Sequence, residues 1–235
     1  MSTPRQVILD TETTGLEWRQ GDRLIEIGCI ELVNRRPSGR RFHKYLNPER
    51  PIALGAKEVH GLTDEFLADK PKFADVVDEL IEFVSGAEVI IHNAPFDVGF
   101  LDYELSLLER PPFETYCERI TDTLKMAREQ RPGKKNSLDA LCAEFGVDNS
   151  NRQLHGALLD AELLAEVYLA MTRGQESLMM ELEVGGAEAL GFARGERPPI
   201  RVVAASAEEL LAHERVLTEI DQASGGKTLW RRLAA

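Results

Sequence analysis

The chain has 235 residues, 43% of them hydrophobic and 29% charged, which suits one core of ordinary size with an appendage, or two small domains. Its formal net charge of -12 argues against gripping long duplex through the phosphates, which needs a basic face, although a short nucleic-acid end can be handled where bound cations meet the phosphates. No apolar stretch is long enough to span a bilayer, and Met1-Ser2-Thr3-Pro4-Arg5 lacks the charged-then-apolar layout of a secretory leader.

Val7-Ile8-Leu9 reads as a buried strand that delivers Asp10 and Glu12 and breaks at Gly15. Residues two apart on a strand share a face, so the two carboxylates point the same way at its open end. They repel one another, more so when desolvated, unless a cation lies between them. Oxygen ligands of this kind suit Mg²⁺ or Mn²⁺ rather than zinc.

Leu24 to Leu32 alternates and predicts a second strand, Asn34 to Arg40 a turn containing Pro37 and Gly39, and Phe42 to Leu46 a third strand, making an antiparallel meander. Asn47-Pro48 and Pro51 break the sheet. Lys57 to His60 predicts a short helix stopped by Gly61, with a new start at Thr63 or Asp64. Lys72 to Val84 carries helical periodicity. Val89-Ile90-Ile91, entered after that helix, predicts a central strand reached by a parallel crossover. It runs into His92-Asn93-Ala94-Pro95-Phe96-Asp97, where Pro95 suits the first turn of a helix and Asp97 stands at a strand-to-helix junction.

Beyond Pro111-Pro112, Tyr116 to Asp122 predicts a fifth strand and Thr123 to Arg128 a short helix. Arg131-Pro132-Gly133-Lys134-Lys135 is a basic loop, either simply solvated or touching a phosphate backbone. Ser137 caps a helix that ends at Gly146. His155 precedes an amphipathic helix running to Met171. It lies five residues before Asp160, so the two converge only if His155 sits at or before the helix start, as Gly156 permits.

The expected division is a folded domain over 1–173, a flexible linker over 174–200, and a C-terminal segment over 201–235 with a helix from Ser206 through Ile220. Gly226-Lys227-Thr228 is no phosphate-binding loop, because Asp221 occupies its first required glycine position. Cys29, Cys117 and Cys142 are far apart and flanked by apolar residues, and read as core thiols of a cytoplasmic protein.

Asp10, Glu12, Asp97, His155 and Asp160 stand out, each where a strand ends or a helix begins. The order Asp-x-Glu, then His-Asn-Ala-x-Phe-Asp, then His-x4-Asp resembles the DEDDh exonucleases of the ribonuclease-H-like fold. Asp10-Thr11-Glu12-Thr13-Thr14-Gly15, Val59-His60-Gly61, Asn136 to Cys142 and Leu154 to Asp160 resemble, within that group, the proofreading epsilon subunits of bacterial DNA polymerase III. The likeness covers about Gln6 to Met171 and resumes at Gly225-Gly226-Lys227-Thr228-Leu229-Trp230-Arg231.

The resemblance implies an α/β fold with a mixed five-stranded sheet, and 3′→5′ removal of mispaired nucleotides for a replicative polymerase. Asp10, Glu12 and Asp160 would hold one divalent ion, with Asp10 also reaching a second on which Asp97 acts directly or through water. His155 would act as general base, since an imidazole titrates near neutral pH. Thr11, Thr14, Val59, His60, Asn93 and Phe96 would surround the terminal nucleotide, although His60 also reads as a helix cap. Leu16 would either wedge between the last two bases or pack in the core. Trp230 and its neighbours would anchor to the polymerase catalytic (alpha) subunit, and Gln175-Glu176-Ser177-Leu178-Met179-Met180 to the sliding clamp, though it ends in Met where the family has Phe. A DEDDh exoribonuclease and a non-catalytic clamp-polymerase adaptor are the competing readings.

Overall fold

Val7, Ile8 and Leu9 are all wholly buried because their strand, β1 (Arg5–Thr13), runs through the middle of a five-stranded sheet covered on both faces. The structure, a computed structural model, describes residues 5–152, 154–173, 205–225 and 230. The chain divides into two compact units, Met1–Glu181 and Leu182–Ala235.

β1 pairs antiparallel with β2 (Leu24–Val33), which pairs antiparallel with β3 (Arg36–Tyr45). Three helices follow: α1 (Leu54–His60), ended by Gly61 at φ 72°, α2 (Asp64–Leu67), capped by the Thr63 hydroxyl, and α3 (Phe73–Val84). β4 (Glu88–Ile91) then returns parallel to β1 on its other side. α4 (Ala94–Leu107) leads to β5 (Arg119–Asp122), parallel to β4, and so to α5 (Thr123–Gln130), α6 (Leu138–Phe145) and α7 (Ala157–Met171). The sheet order is β3-β2-β1-β4-β5. The mixed sheet, three antiparallel strands followed by parallel ones, is the expected α/β architecture. In the second unit, Ser206 caps a helix, α8 (Ala207–Ser224), through a box with Glu209.

Two expectations are corrected. The turn does not run from Asn34 to Arg40. Asn34 and Arg35, at φ 50° and 59°, close the hairpin in two residues, and Arg36 already pairs with Val33. Positive φ at both positions matches the twist of the flanking strands, and Pro37 is tolerated because β3 is an edge strand. The fifth strand begins at Arg119 rather than Tyr116. Phe113–Tyr116 is instead a 3-10 turn in which the Pro112 carbonyl accepts from the amide and hydroxyl of Thr115.

Two apolar clusters sandwich the sheet. Val7 and Leu9 meet α3 and α4 residues such as Val77, Leu80, Phe100 and Leu101, while Ile8 between them meets α7 residues such as Ala161 and Leu164. Each such side chain contributes roughly 1.5–3 kcal/mol by leaving water. The alternation continues past the apolar run. Thr11 therefore looks toward α4, and Asp10 and Glu12 toward α7. Cys29 and Cys142 are buried in these clusters, Cys117 is half-buried, and all three are free.

α7 reaches the sheet through one glycine. Gly28 is opposite Asp10 in the β1–β2 register, and a Cβ there would lie 2.3 Å from backbone atoms of Ala157 and Leu158. The missing side chain lets the first turn of α7 settle beside Asp10. Gly28→Ala is expected to destabilise the fold by at least the ~1–3 kcal/mol typical of overpacking, because backbone rather than a flexible side chain must yield. A urea unfolding midpoint measured beside wild type checks this.

Candidate active site

The strand end, the β4–α4 junction and the start of α7 converge on a cavity of about 780 Å³ whose lining includes Asp10, Glu12, Asp97, His155 and Asp160. Asp97 stands in the first turn of α4, where Asn93 adopts φ 66° at the cap and donates its amide to Asp122 at 3.2 Å. The Thr11 hydroxyl donates to Asp97 at 2.6 Å, tying β1 to α4. Asp160 is in the first turn of α7, its amide donating to the Gly156 carbonyl. His155 lies just before the helix, so five residues of separation close to 3.5 Å between its Nδ1 and an Asp160 oxygen. Its own amide donates to the Val59 carbonyl of α1 at 3.0 Å.

A second cavity, about 520 Å³, shares Thr11, Glu12, Leu16 and Phe96 with the first and adds Val59 and His60. Leu16 is 76% exposed between the two, which removes the alternative that it packs in the core. His60 is buried, its Nδ1 accepting from the Leu62 amide and its other ring nitrogen turned toward the Thr13 backbone. Asn93 lines the first cavity. Thr14 is placed differently from the other residues expected around a nucleotide. It is wholly buried and lines neither cavity, its hydroxyl donating to Asp22 and accepting the Arg23 amide.

The electrostatics are lopsided. Burial, followed by the charges of Asp97, Asp160 and Glu12, drives the Asp10 carboxyl well above its usual range. Burial, Asp160 and Glu26 push Glu12 up to about 8. Asp97 is raised by burial despite the hydrogen bond from Thr11. Arg152 acts in the opposite direction on both Asp10 and Glu12. Glu12, His155 and Asp160 each offer a ligand atom within 4.8 Å of the others. Hard oxygen donors short of positive charge fit a divalent cation.

The lining also includes Arg128 and Arg152, which no motif marks, and His92, Asn136 and Asp139, which lie in quoted motifs without an expected site role; His92 Nδ1 is 2.9 Å from the Thr123 hydroxyl. Lys134, from the basic loop, also lines the cavity. Of these only Lys134 was marked by local composition. Arg152 sits in a polar loop with no periodicity to betray it.

The family described as Exonuclease (RNase_T) matches residues 7–168, and the chain belongs to it. Its relatives include the DNA polymerase III subunit epsilon of Salmonella typhimurium and that of Escherichia coli K12, each 52% identical over 238 residues and covering 97% of both chains. The subunit epsilon of Haemophilus influenzae is 45% identical across 96% of this chain and 94% of its own. Among solved structures, exonuclease X in complex with 5′ overhanging duplex DNA aligns at TM-score 0.56 and 29% identity, covering 72% of this chain and 92% of its own. The nuclease domain of 3′hExo, a DEDDh family member bound to rAMP, shares the fold at TM-score 0.63 and 17% identity, covering 73% and 93%. The family match and these relatives make the protein an exonuclease-family nuclease. No helix among the described residues is long and apolar enough to cross a membrane.

The raised carboxyls make a pH prediction. Glu12 binds its proton more tightly in the folded state, so between its ordinary 4.5 and about 8 the native protein carries more protons than the unfolded chain. Stability then falls as pH rises through that window. In chelator, the melting temperature is expected to drop between about pH 6 and pH 9, and saturating Mn²⁺ to flatten the slope. Differential scanning calorimetry across that range checks both.

Proposed function

We propose that the protein is a 3′→5′ exodeoxyribonuclease that proofreads for a replicative DNA polymerase. It hydrolyses the terminal phosphodiester by two-metal-ion catalysis and releases nucleoside monophosphates. The carrying observation is the gathering of Asp10, Glu12, Asp97, Asp160 and His155 on one cavity, with three of the carboxyls raised by burial and, for Asp10 and Glu12, by neighbouring charges. The relatives named DNA polymerase III subunit epsilon support the polymerase context.

Asp10, Glu12, Asp97 and Asp160 would hold the ions, Mg²⁺ or Mn²⁺. Bound there, divalent ions supply charge neutralisation on the phosphodiester and acidify the attacking water. His155 takes that water's proton at a ring nitrogen, a contribution of about 10²–10⁴-fold. Thr11 keeps Asp97 aimed by donating to it. The terminal nucleotide fits the second cavity, where Val59, Phe96 and exposed Leu16 offer apolar surface that accepts any base. His60 and Asn93 supply polar contacts at its edges. A mispaired end frays at low cost and reaches such a site more often than a paired one.

On this reading 1–173 is the nuclease, 174–200 a linker and 201–235 the polymerase-binding segment. The linker and the clamp-binding peptide Gln175–Met180 lie outside the described residues. Trp230 is described and is 67% exposed, which supports a role as an anchor for the alpha subunit.

Mononucleotide release from a 3′-mispaired DNA primer with Mg²⁺ is the test. EDTA is expected to abolish it, and Asp10→Asn to cost more than the ~10²-fold typical of residues that only support a metal ligand. The variant should melt no lower than wild type in chelator, since it relieves repulsion. Release without metal would overturn the mechanism, faster release from an RNA primer would favour RNA trimming, and no release at all would leave the adaptor reading. Deleting Gly225–Ala235 is expected to leave the rate on free oligonucleotide unchanged and to abolish co-elution with the polymerase catalytic subunit on gel filtration.

A further inference from the structure

Arg152 sits inside the site, yet hydrolysis as described gives it no part. Its side chain is only 6% exposed, and every arm of the guanidinium is engaged. Nε and Nη2 each donate to one oxygen of Asp160 at 2.6 Å. Nη1 donates to Asp139 at 2.7 Å, and Nη2 also reaches His155 Nδ1 at 3.1 Å.

Two consequences are chemical. The fork on Asp160 uses both carboxylate oxygens, the same lone pairs a divalent cation needs. A guanidinium can only donate, so Nδ1 of His155 must be the acceptor. A neutral ring then carries its proton on Nε2, and its one free lone pair is taken. In this arrangement Asp160 is already neutralised and His155 has nowhere to receive a proton. Burial opposes the charge on Arg152, but the bonds to Asp160 and Asp139 outweigh it and hold the guanidinium firmly protonated.

We propose that Arg152 is a displaceable counter-ion. It stands in for the cation at Asp160 and caps the His155 lone pair, and a divalent ion evicts it from both at once. Loading the metal and freeing the base become a single event. Asp139, in the first turn of α6 and not among the carboxylates that would take metal, keeps a hold on Nη1 when the other bonds break. Arg152 is thus a positioning residue, and the inference rests on the metal reading above.

The test measures Mn²⁺ affinity by the electron paramagnetic resonance of the free ion, and melting temperature with and without Mn²⁺. Wild type, Arg152→Gln, Arg152→Lys and Asp139→Asn are compared. Removing the competitor is expected to tighten Mn²⁺ binding roughly tenfold or more in Arg152→Gln, the equivalent of one charge-assisted hydrogen bond. Arg152→Lys, which keeps the charge but loses the fork, should fall between. Asp139→Asn should move affinity the other way, weakening Mn²⁺ binding, because the evicted guanidinium then has no carboxylate to rest on. Arg152→Gln should melt lower than wild type in EDTA and close to it with Mn²⁺. In nitrogen-15 spectra of the histidine rings, wild-type His155 should show a hydrogen-bonded, unprotonated Nδ1 that Mg²⁺ alters and Arg152→Gln lacks.

Unchanged or weaker affinity in Arg152→Gln, with equal melting losses in both conditions, would make Arg152 a plain loop pin and overturn the inference while the metal reading stands. Failure of wild type to bind Mn²⁺ would overturn both. Should Arg152→Gln not fold, the Arg152→Lys and Asp139→Asn affinities decide the matter alone.

Discussion

Like charge held close on the wall of one cavity is the constraint on which this molecule turns. Four carboxyls crowd one end of the sheet, and burial removes the solvent that would screen them. Such an arrangement survives only with positive charge beside it or with protons held against their usual tendency. Both remedies are visible: Arg152 forks onto Asp160, and Asp10, Glu12 and Asp97 have their proton affinities raised. A mutation that removed the strain by removing a carboxylate would favour folding and discard the site.

The surrounding fold is arranged to hold that crowding in place. β1 alternates its faces as it leaves the core, Leu9 and Thr11 toward α4 and Asp10 and Glu12 toward α7. The bare face of Gly28 admits α7. The amide of His155 is fastened to the carbonyl of Val59, so the segment before α7 is attached to α1 rather than hanging free. Side chains from distant parts of the sequence are thereby carried by rigid elements, which is what a reaction requiring alignment to fractions of an ångström demands.

Much of this was legible in the residues. A three-residue apolar run followed by Asp-x-Glu could be read as a core strand ending in a site, and the spacing of His155 to Asp160 forced the histidine out of the helix. The hairpin was misread because Pro37 and Gly39 are ordinarily loop residues, and only an edge position excuses them. Thr14 was grouped with its neighbours by motif, but its burial depends on Asp22, eight residues on, which no local pattern reveals. Arg152 was missed for a similar reason. Its partners Asp139 and Asp160 come from two helices, and their meeting is a property of the folded chain.

The outer strand has a consequence of its own. β3 presents Arg36, Pro37, Arg40, Arg41 and Lys44 along the open margin of the sheet. Proline withdraws one amide from any would-be neighbour, and a second margin docking there would have to desolvate charged side chains already paired within the molecule, Arg40 with Glu31, Arg41 with Glu162 and Lys44 with Glu79. Stacking of molecules rim to rim into extended ribbons is thereby discouraged, which leaves a bare sheet border tolerable at high protein concentration.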